Sequence, residues 1–205
     1  MRQILFGVYA EGSSDYEYFP TLLQRLMLEL AHQKQIDVEI LEPLLIPRKE
    51  KPGSFEEQMK AIEKADDYKG LHLIFVHIDA DDPTTGKVVK TRWNPWIEKS
   101  EDPKRWIAVI PVKMLESWLL ADWQALQSTL IVDEGSIKEL IGGVNNAEQI
   151  ESPKEKLNTL ITTGKRRRLS RFRETLAVRA EFSALRRLPS FRILEQSVMD
   201  FLTRS

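Results

Sequence analysis

Four acidic residues stand where a chain of alternating strands and helices would bring distant positions together: Glu11, Asp79, Asp81 and Glu116. Glu11 closes the apolar run 4–10. Asp79 and Asp81 follow the run 71–78 in Asp79-Ala80-Asp81-Asp82-Pro83, and Glu116 lies just after the run 106–112. Carboxylates gathered at one place repel each other and raise their own pKa values unless a cation neutralises them. The chain has no cysteine and no obvious histidine partner at that rim, so the donors are hard oxygens, which favour Mg²⁺ or Mn²⁺ over Zn²⁺. His77 precedes Asp79 by two positions and shares its strand face, but a histidine inside a buried strand reads as a hydrogen-bonded core residue and is left out of the site.

A second chemistry is suggested by Lys165, Arg166, Arg167, Arg168, Arg171 and Arg173. Between Gly164 and Arg187, nine Lys or Arg face only Glu174 and Glu181, within a chain of net charge −1. Such a segment is either a solvated helix face or a surface for a polyanion, with nucleic acid, DNA or RNA, as the natural partner. Phe172 is the only aromatic interleaved, which favours electrostatic backbone contact over base stacking. Trp93 and Trp96 follow Lys87, Lys90 and Arg92 in the segment leaving the acidic turn; they pack in the core or line a substrate mouth.

The elements that must position these residues follow from periodicity. Residues 4–10, 38–46, 71–78 and 106–112 are short apolar runs of the kind buried on both faces of a parallel sheet. Between them, Ser14 and Glu17 fit a capping box ahead of an apolar stripe at Phe19, Leu22, Leu23, Leu26, Met27 and Leu30. Residues 54–67 form a second helix with Phe55, Met59 and Ile62 on its apolar side. Gly12 permits a tight strand-to-helix turn and is a structural residue at the site. The expected fold class is α/β: a mostly parallel, Rossmann-like sheet of about four strands flanked by helices, with ligands beyond the carboxyl ends of the strands. After Asp122 the strand pattern disappears, so residues 1–122 are expected to form the α/β domain and 123–205 a helical C-terminal appendage packed on it. The last helix, with Ile193, Leu194, Val198, Phe201 and Leu202, docks on the sheet or closes a homodimer.

At 205 residues, 42% hydrophobic and 30% charged, the composition is that of a chain that buries its own core, not of a disordered one. Disulfides, thiolate metal sites and cysteine nucleophiles are excluded. The N-terminal run ends at Glu11 with no cleavage pattern, and no apolar run approaches the roughly 20 residues that span a bilayer, so no membrane role and a cytoplasmic location are expected.

The ordered pair Glu11-Gly12 and Asp79-Ala80-Asp81 resembles the Toprim domain, found in topoisomerases, primases, RNA-processing nucleases and the overcoming-lysogenization-defect nucleases. The resemblance covers about residues 1 to 122, and the stretch Pro111-Val-Lys-Met-Leu-Glu-Ser-Trp-Leu-Leu-Ala-Asp122 is similar to an uncharacterised bacterial Toprim-like family. It implies that Glu11 is a general acid or base at a phosphodiester, that Asp79 and Asp81 bind Mg²⁺, and that Glu116 completes a second metal position. A helix-start carboxylate complementing the dipole is the other reading of Glu116. The implied activity is that of an Mg²⁺-dependent nuclease or other phosphodiester-processing enzyme. Alternatives are a catalytically silent nucleic-acid-binding or ATPase-accessory module, and a small-phosphate hydrolase. Some family members carry an ATPase domain that this sequence lacks, so a separate ATPase subunit is an implied partner. Haloacid-dehalogenase and receiver-domain patterns fit worse: Pro83 stands where the first expects Thr or Val, and only Glu11 follows the first strand where the second expects adjacent acids.

Overall fold

A computed structural model describes residues 1–48, 53–141, 144–164 and 171–204. The chain begins with β1 (Arg2–Ile4) and β2 (Phe6–Tyr9), then a 3₁₀ turn, Ser13–Glu17, and α1 (Phe19–Gln33). It continues through β3 (Val38–Ile40), β4 (Leu44–Ile46), α2 (Phe55–Lys64) and β5 (Leu73–His77). A helical stretch follows: α3 (Gly86–Val88), a π-type turn Val89–Trp93, and α4 (Asn94–Ile97). Beyond β6 (Trp106–Val109), the described elements are helical: α5 (Leu115–Ala121), α6 (Trp123–Leu130), α7 (Glu134–Ile141), α8 (Pro153–Thr163), α9 (Phe172–Arg179), α10 (Phe182–Leu185) and α11 (Pro189–Leu202).

All described pairings are parallel. β4, β2, β5 and β6 lie in that order in one sheet, and β1 pairs with β3 beside it. The two expected continuous strands 4–10 and 38–46 are each broken in two. Partners are 36 residues apart at Arg2↔Val38 but 37 apart at Gly7↔Leu44, so one extra residue is taken up around Leu41-Glu42-Pro43. Pro43 has no N–H to give the ladder, and the effect is that of a bulge. On the facing side Leu5 leaves the β1 and β2 ladders, its N–H donating to His72 Nδ1 at 3.0 Å while its carbonyl accepts from the His72 N–H at 2.8 Å.

The period of two along the strands divides the interior into two cores. Phe6, Val8, Leu73, Phe75, Ile107 and Val109 face α1, α5 and the C-terminal helices. Tyr9, Ile74, Val76, Ile78, Trp106 and Ile110 face α2 and the α3–α4 stretch. The sheet is therefore covered on both sides, which is why its strands read as unbroken apolar runs. Leu176, Leu185, Phe191, Leu194 and Val198 belong to the same cluster as Phe6 and Phe75, so residues beyond 122 complete the core under one face of the sheet. Trp118 of α5 stands at that junction, edge-on to Phe191 at 5.2 Å and to Phe19 at 6.1 Å, its indole N–H donating to Ser190 Oγ at 2.8 Å. Pro153 and Pro189 open α8 and α11 at positions where the missing N–H is not needed. The pair Gly142-Gly143, whose residue type separates helices, lies outside the described residues. Among the described residues no helix is long and apolar enough to cross a membrane.

Candidate active site

The carboxyl ends of β2 and β5 are neighbours in the sheet, so the residues that follow them meet. The Asp79 backbone N–H donates to Glu11 Oε2 at 3.2 Å, joining two acids 68 positions apart. Leu73, Phe75 and His77 point into the α1-side core. His77, 1% exposed, lies tilted against the Phe19 ring at 4.4 Å. Its Nδ1 is 3.3 Å from Asp15 Oδ2 and its Nε2 3.2 Å from Asp79 Oδ1, so the imidazole bridges the turn after β2 to the end of β5. Both are close ionic contacts without hydrogen-bond alignment, and they leave Asp79 Oδ1 as a buried oxygen that accepts no hydrogen bond.

The electrostatics follow from this geometry. Burial alone would pull His77 down, but the carboxylates on either side override it and raise the imidazole to about 9, so it is an imidazolium at neutral pH. Burial pushes Asp15 up, yet His77, Arg173 and the Gly12 N–H together bring it below the usual carboxylate range. Asp81 moves the other way: burial, then the charges of Asp79 and Glu11, raise it, with Arg92 opposing.

Two loops are clasped to present Asp81. The Asp81 N–H donates to the Lys113 carbonyl at 2.9 Å and the Lys113 N–H to the Asp82 carbonyl at 3.1 Å. Both Asp81 (φ 49°) and Lys113 (φ 62°) adopt the left-handed conformation, which costs a non-glycine residue roughly 1 kcal/mol or more. The Lys113 ammonium in turn donates to the Ile150 carbonyl at 2.6 Å, tying the rim to the C-terminal half.

Gly12 serves the site differently from the expectation. Its backbone is extended (φ −104°, ψ 141°), which any residue adopts, so no special turn geometry calls for glycine. What excludes a side chain is Asp15: a Cβ on Gly12 would lie 2.6 Å from Asp15 Oδ2, which accepts the Gly12 N–H at 3.1 Å. Asp15, not Ser14 with Glu17, closes the turn ahead of α1. Asp82 accepts the Thr84 N–H at 3.2 Å and shapes the turn beyond Asp81.

Glu11 is paired with Arg92. The guanidinium engages both carboxylate oxygens, the second contact at 3.4 Å, and stacks 4.9 Å from the Phe55 ring centroid. Arg48 donates to the Glu11 carbonyl at 2.7 Å from the other side. Glu116 is buried at the start of α5 and accepts from Arg173 at 2.7 Å, so its charge is compensated within the chain. Arg173, expected among the polyanion-binding cations, is thus committed to a carboxylate. Arg171 is exposed and lies 3.4 Å from Glu174, while Lys165, Arg166, Arg167 and Arg168 lie outside the described residues. Trp96 is fully buried against Trp106, and Trp93 is partly buried beside it.

Among the described residues no group of three or more His, Asp or Glu is drawn together tightly enough to hold a metal ion. The donor chemistry of Asp79 and Asp81 nevertheless suits a hard divalent cation: the two are oxygen donors two positions apart on one loop, and Asp81 suffers the repulsion that a cation would relieve. A third ligand from Glu11 requires that carboxylate to exchange partners, since Arg92 holds it. Sequence reasoning missed His77 as a bridge, although its parity with Asp79 was the available signal. It also missed Arg92, Arg48 and Lys113, whose pairings cross 81, 37 and 37 positions and leave no local trace.

The fold and site together define a parallel α/β protein with a carboxylate rim. Residues 10–198 match the family model described as Domain of unknown function (DUF4276), and the chain belongs to that family. No curated protein matches it. Among solved structures, the C-terminal region of the OLD protein of Xanthomonas campestris pv. campestris is similar over 96% of this chain and 95% of that one, at 14% identity and a TM-score of 0.43.

Proposed function

We propose that the protein is a divalent-metal-dependent phosphodiester hydrolase acting on nucleic acid, with its reaction centre at the rim formed by Glu11, Asp79 and Asp81. The observation that carries this reading is the convergence of these residues from two neighbouring strand ends, with the Asp81 carboxyl raised by burial and by its acidic neighbours. Asp79 and Asp81 would hold Mg²⁺ or Mn²⁺, which when bound supplies a Lewis acid for charge on the phosphoryl oxygens. The chain's own residues do the rest. The His77 imidazolium fixes Asp79 from beneath, the Asp81–Lys113 clasp fixes the loop, and Glu11 stands beside Asp79 as the general acid or base. Glu116 is available as a second metal position only on releasing Arg173. The resemblance to Toprim nucleases supports the same assignment, with a separate ATPase subunit as a partner and Arg171 and its basic neighbours as contacts to the nucleic-acid backbone.

A second reading, a catalytically silent module of the same fold, is favoured by one observation: Arg92 and Arg173 already balance Glu11 and Glu116 within the chain. Cleavage of labelled single- and double-stranded DNA and RNA in Mg²⁺ or Mn²⁺ separates the two. Cleavage by wild type that is lost in the folded Asp79→Ala/Asp81→Ala variant establishes the hydrolase and names its substrate. Absence of cleavage on every substrate turns the assignment to the silent module.

A further inference from the structure

Beside Glu11 opens a cavity of about 480 Å³ whose lining includes Arg48, Ser54, Phe55, Arg92 and Trp96. Two arginines reach it from different elements, Arg48 from the segment after β4 and Arg92 from the π-type turn Val89–Trp93. A π turn inserts one extra residue into a helix and redirects the side chains it carries, and such turns recur at functional sites. Arg92 lies with its guanidinium over the Phe55 ring, a contact that leaves the N–H edge of the fork free to choose its acceptor. Its present acceptor is Glu11, the carboxylate that a cation held by Asp79 and Asp81 would gain as a third ligand if Arg92 released it.

We propose that Arg92 is an exchangeable counter-ion: it covers Glu11 while no cation is bound, and when a cation claims Glu11 it turns within the cavity, beside Arg48, to grip a phosphate of the nucleic-acid strand. The inference rests on the functional reading above and deepens it by assigning the strand's phosphate to the cavity side of the rim. Guanidinium forks match phosphate as well as carboxylate, so one group serves both states without being left unpaired. Cation and substrate would then reinforce each other's binding, since each frees or occupies a partner that the other needs.

A purely structural Arg92–Glu11 pair would pin the π turn to the end of β2, and its loss would lower stability alone. The exchange model predicts two effects of opposite sign in Arg92→Gln. Mn²⁺ binding, measured by titration calorimetry on protein shown to be folded, tightens about fivefold, the worth of a partly exposed ion pair of about 1 kcal/mol. Binding of a labelled single-stranded oligonucleotide in Ca²⁺ weakens about tenfold, and its salt slope falls by about one. Arg92→Lys keeps part of the oligonucleotide affinity.

A double-mutant cycle in EDTA tests the exchange without any metal. Arg92→Gln barely alters oligonucleotide binding when Glu11 is present but weakens it about tenfold in a Glu11→Gln background, where Arg92 is free. Equal effects in the two backgrounds, or Mn²⁺ binding unchanged or weaker in Arg92→Gln, overturn the exchange. Mn²⁺ binding that is identical in wild type and Asp79→Ala/Asp81→Ala overturns the metal reading instead, and the cycle in EDTA still decides whether Arg92 exchanges between carboxylate and phosphate.

Discussion

Raising the pH should loosen the clamp that His77 forms between Asp15 and Asp79. The folded state raises this imidazole from an ordinary 6.5 to about 9. Below pH 6.5 both folded and unfolded chains carry the proton, and the contribution to stability is fully present. Between 6.5 and 9 the unfolded chain releases its proton first, so stability falls as pH rises, and above 9 the contribution is gone. A shift of about 2.5 pH units at about 1.36 kcal/mol each gives a loss on the order of 3 kcal/mol, undiminished by solvent because the ring is buried. Urea unfolding in EDTA from pH 6 to pH 9.5, for wild type and His77→Gln, reads this directly. Glutamine does not titrate and cannot serve both carboxylates, so the variant is less stable at pH 6 and the gap closes by about 3 kcal/mol at pH 9.5. A gap that stays constant across that range would show that His77 carries no extra proton in the folded state, and the electrostatic account of the clamp would fail.

Gly12→Ala should destabilise by about 1–3 kcal/mol in urea unfolding, through the collision of its Cβ with Asp15 and not through the backbone, and should flatten the pH dependence above 6.5 because Asp15 is pushed off His77. Ser190→Ala should cost about 1–3 kcal/mol by leaving the buried Trp118 indole N–H unpaired, visible as a lowered Tm and an altered tryptophan emission. Asp81→Asn should leave stability nearly unchanged, since asparagine tolerates the left-handed conformation, while Mn²⁺ binding by calorimetry is weakened at least tenfold.

The general frame was legible because of the sheet's burial. β5 reads as an unbroken apolar run since Leu73 and Phe75 meet one core while Ile74 and Val76 meet the other, and a chain of such runs alternating with helices has few solutions. Glu11, Asp79 and Asp81 were visible for a related reason: each interrupts such a run at its carboxyl end. Other features depended on tertiary contact. The shift of register opposite Leu5 had a local sign in Pro43, but its size is set by the pairing of two strands. Gly12 was readable as special, yet the cause is a carboxylate three residues on that closes the turn where Ser14 and Glu17 offered the familiar pattern. The partners of Glu11 and Glu116 were hidden because ion pairs between distant segments leave no periodicity, and an acid that appears free along the chain can arrive already neutralised.

The attachment of the rim to the C-terminal half has a practical consequence for anyone wishing to trim the protein. A fragment ending at Asp122 keeps every strand among the described residues and the three rim acids, and from its sequence looks self-sufficient. It would leave Glu116 without Arg173, the Trp118 indole without Ser190 and the Lys113 ammonium without the Ile150 carbonyl, and it would expose the part of the α1-side core that Leu176, Leu185, Phe191, Leu194 and Val198 complete. The smallest unit that preserves the rim therefore extends into α11, and segments exchanged between relatives must carry both halves of each of these contacts.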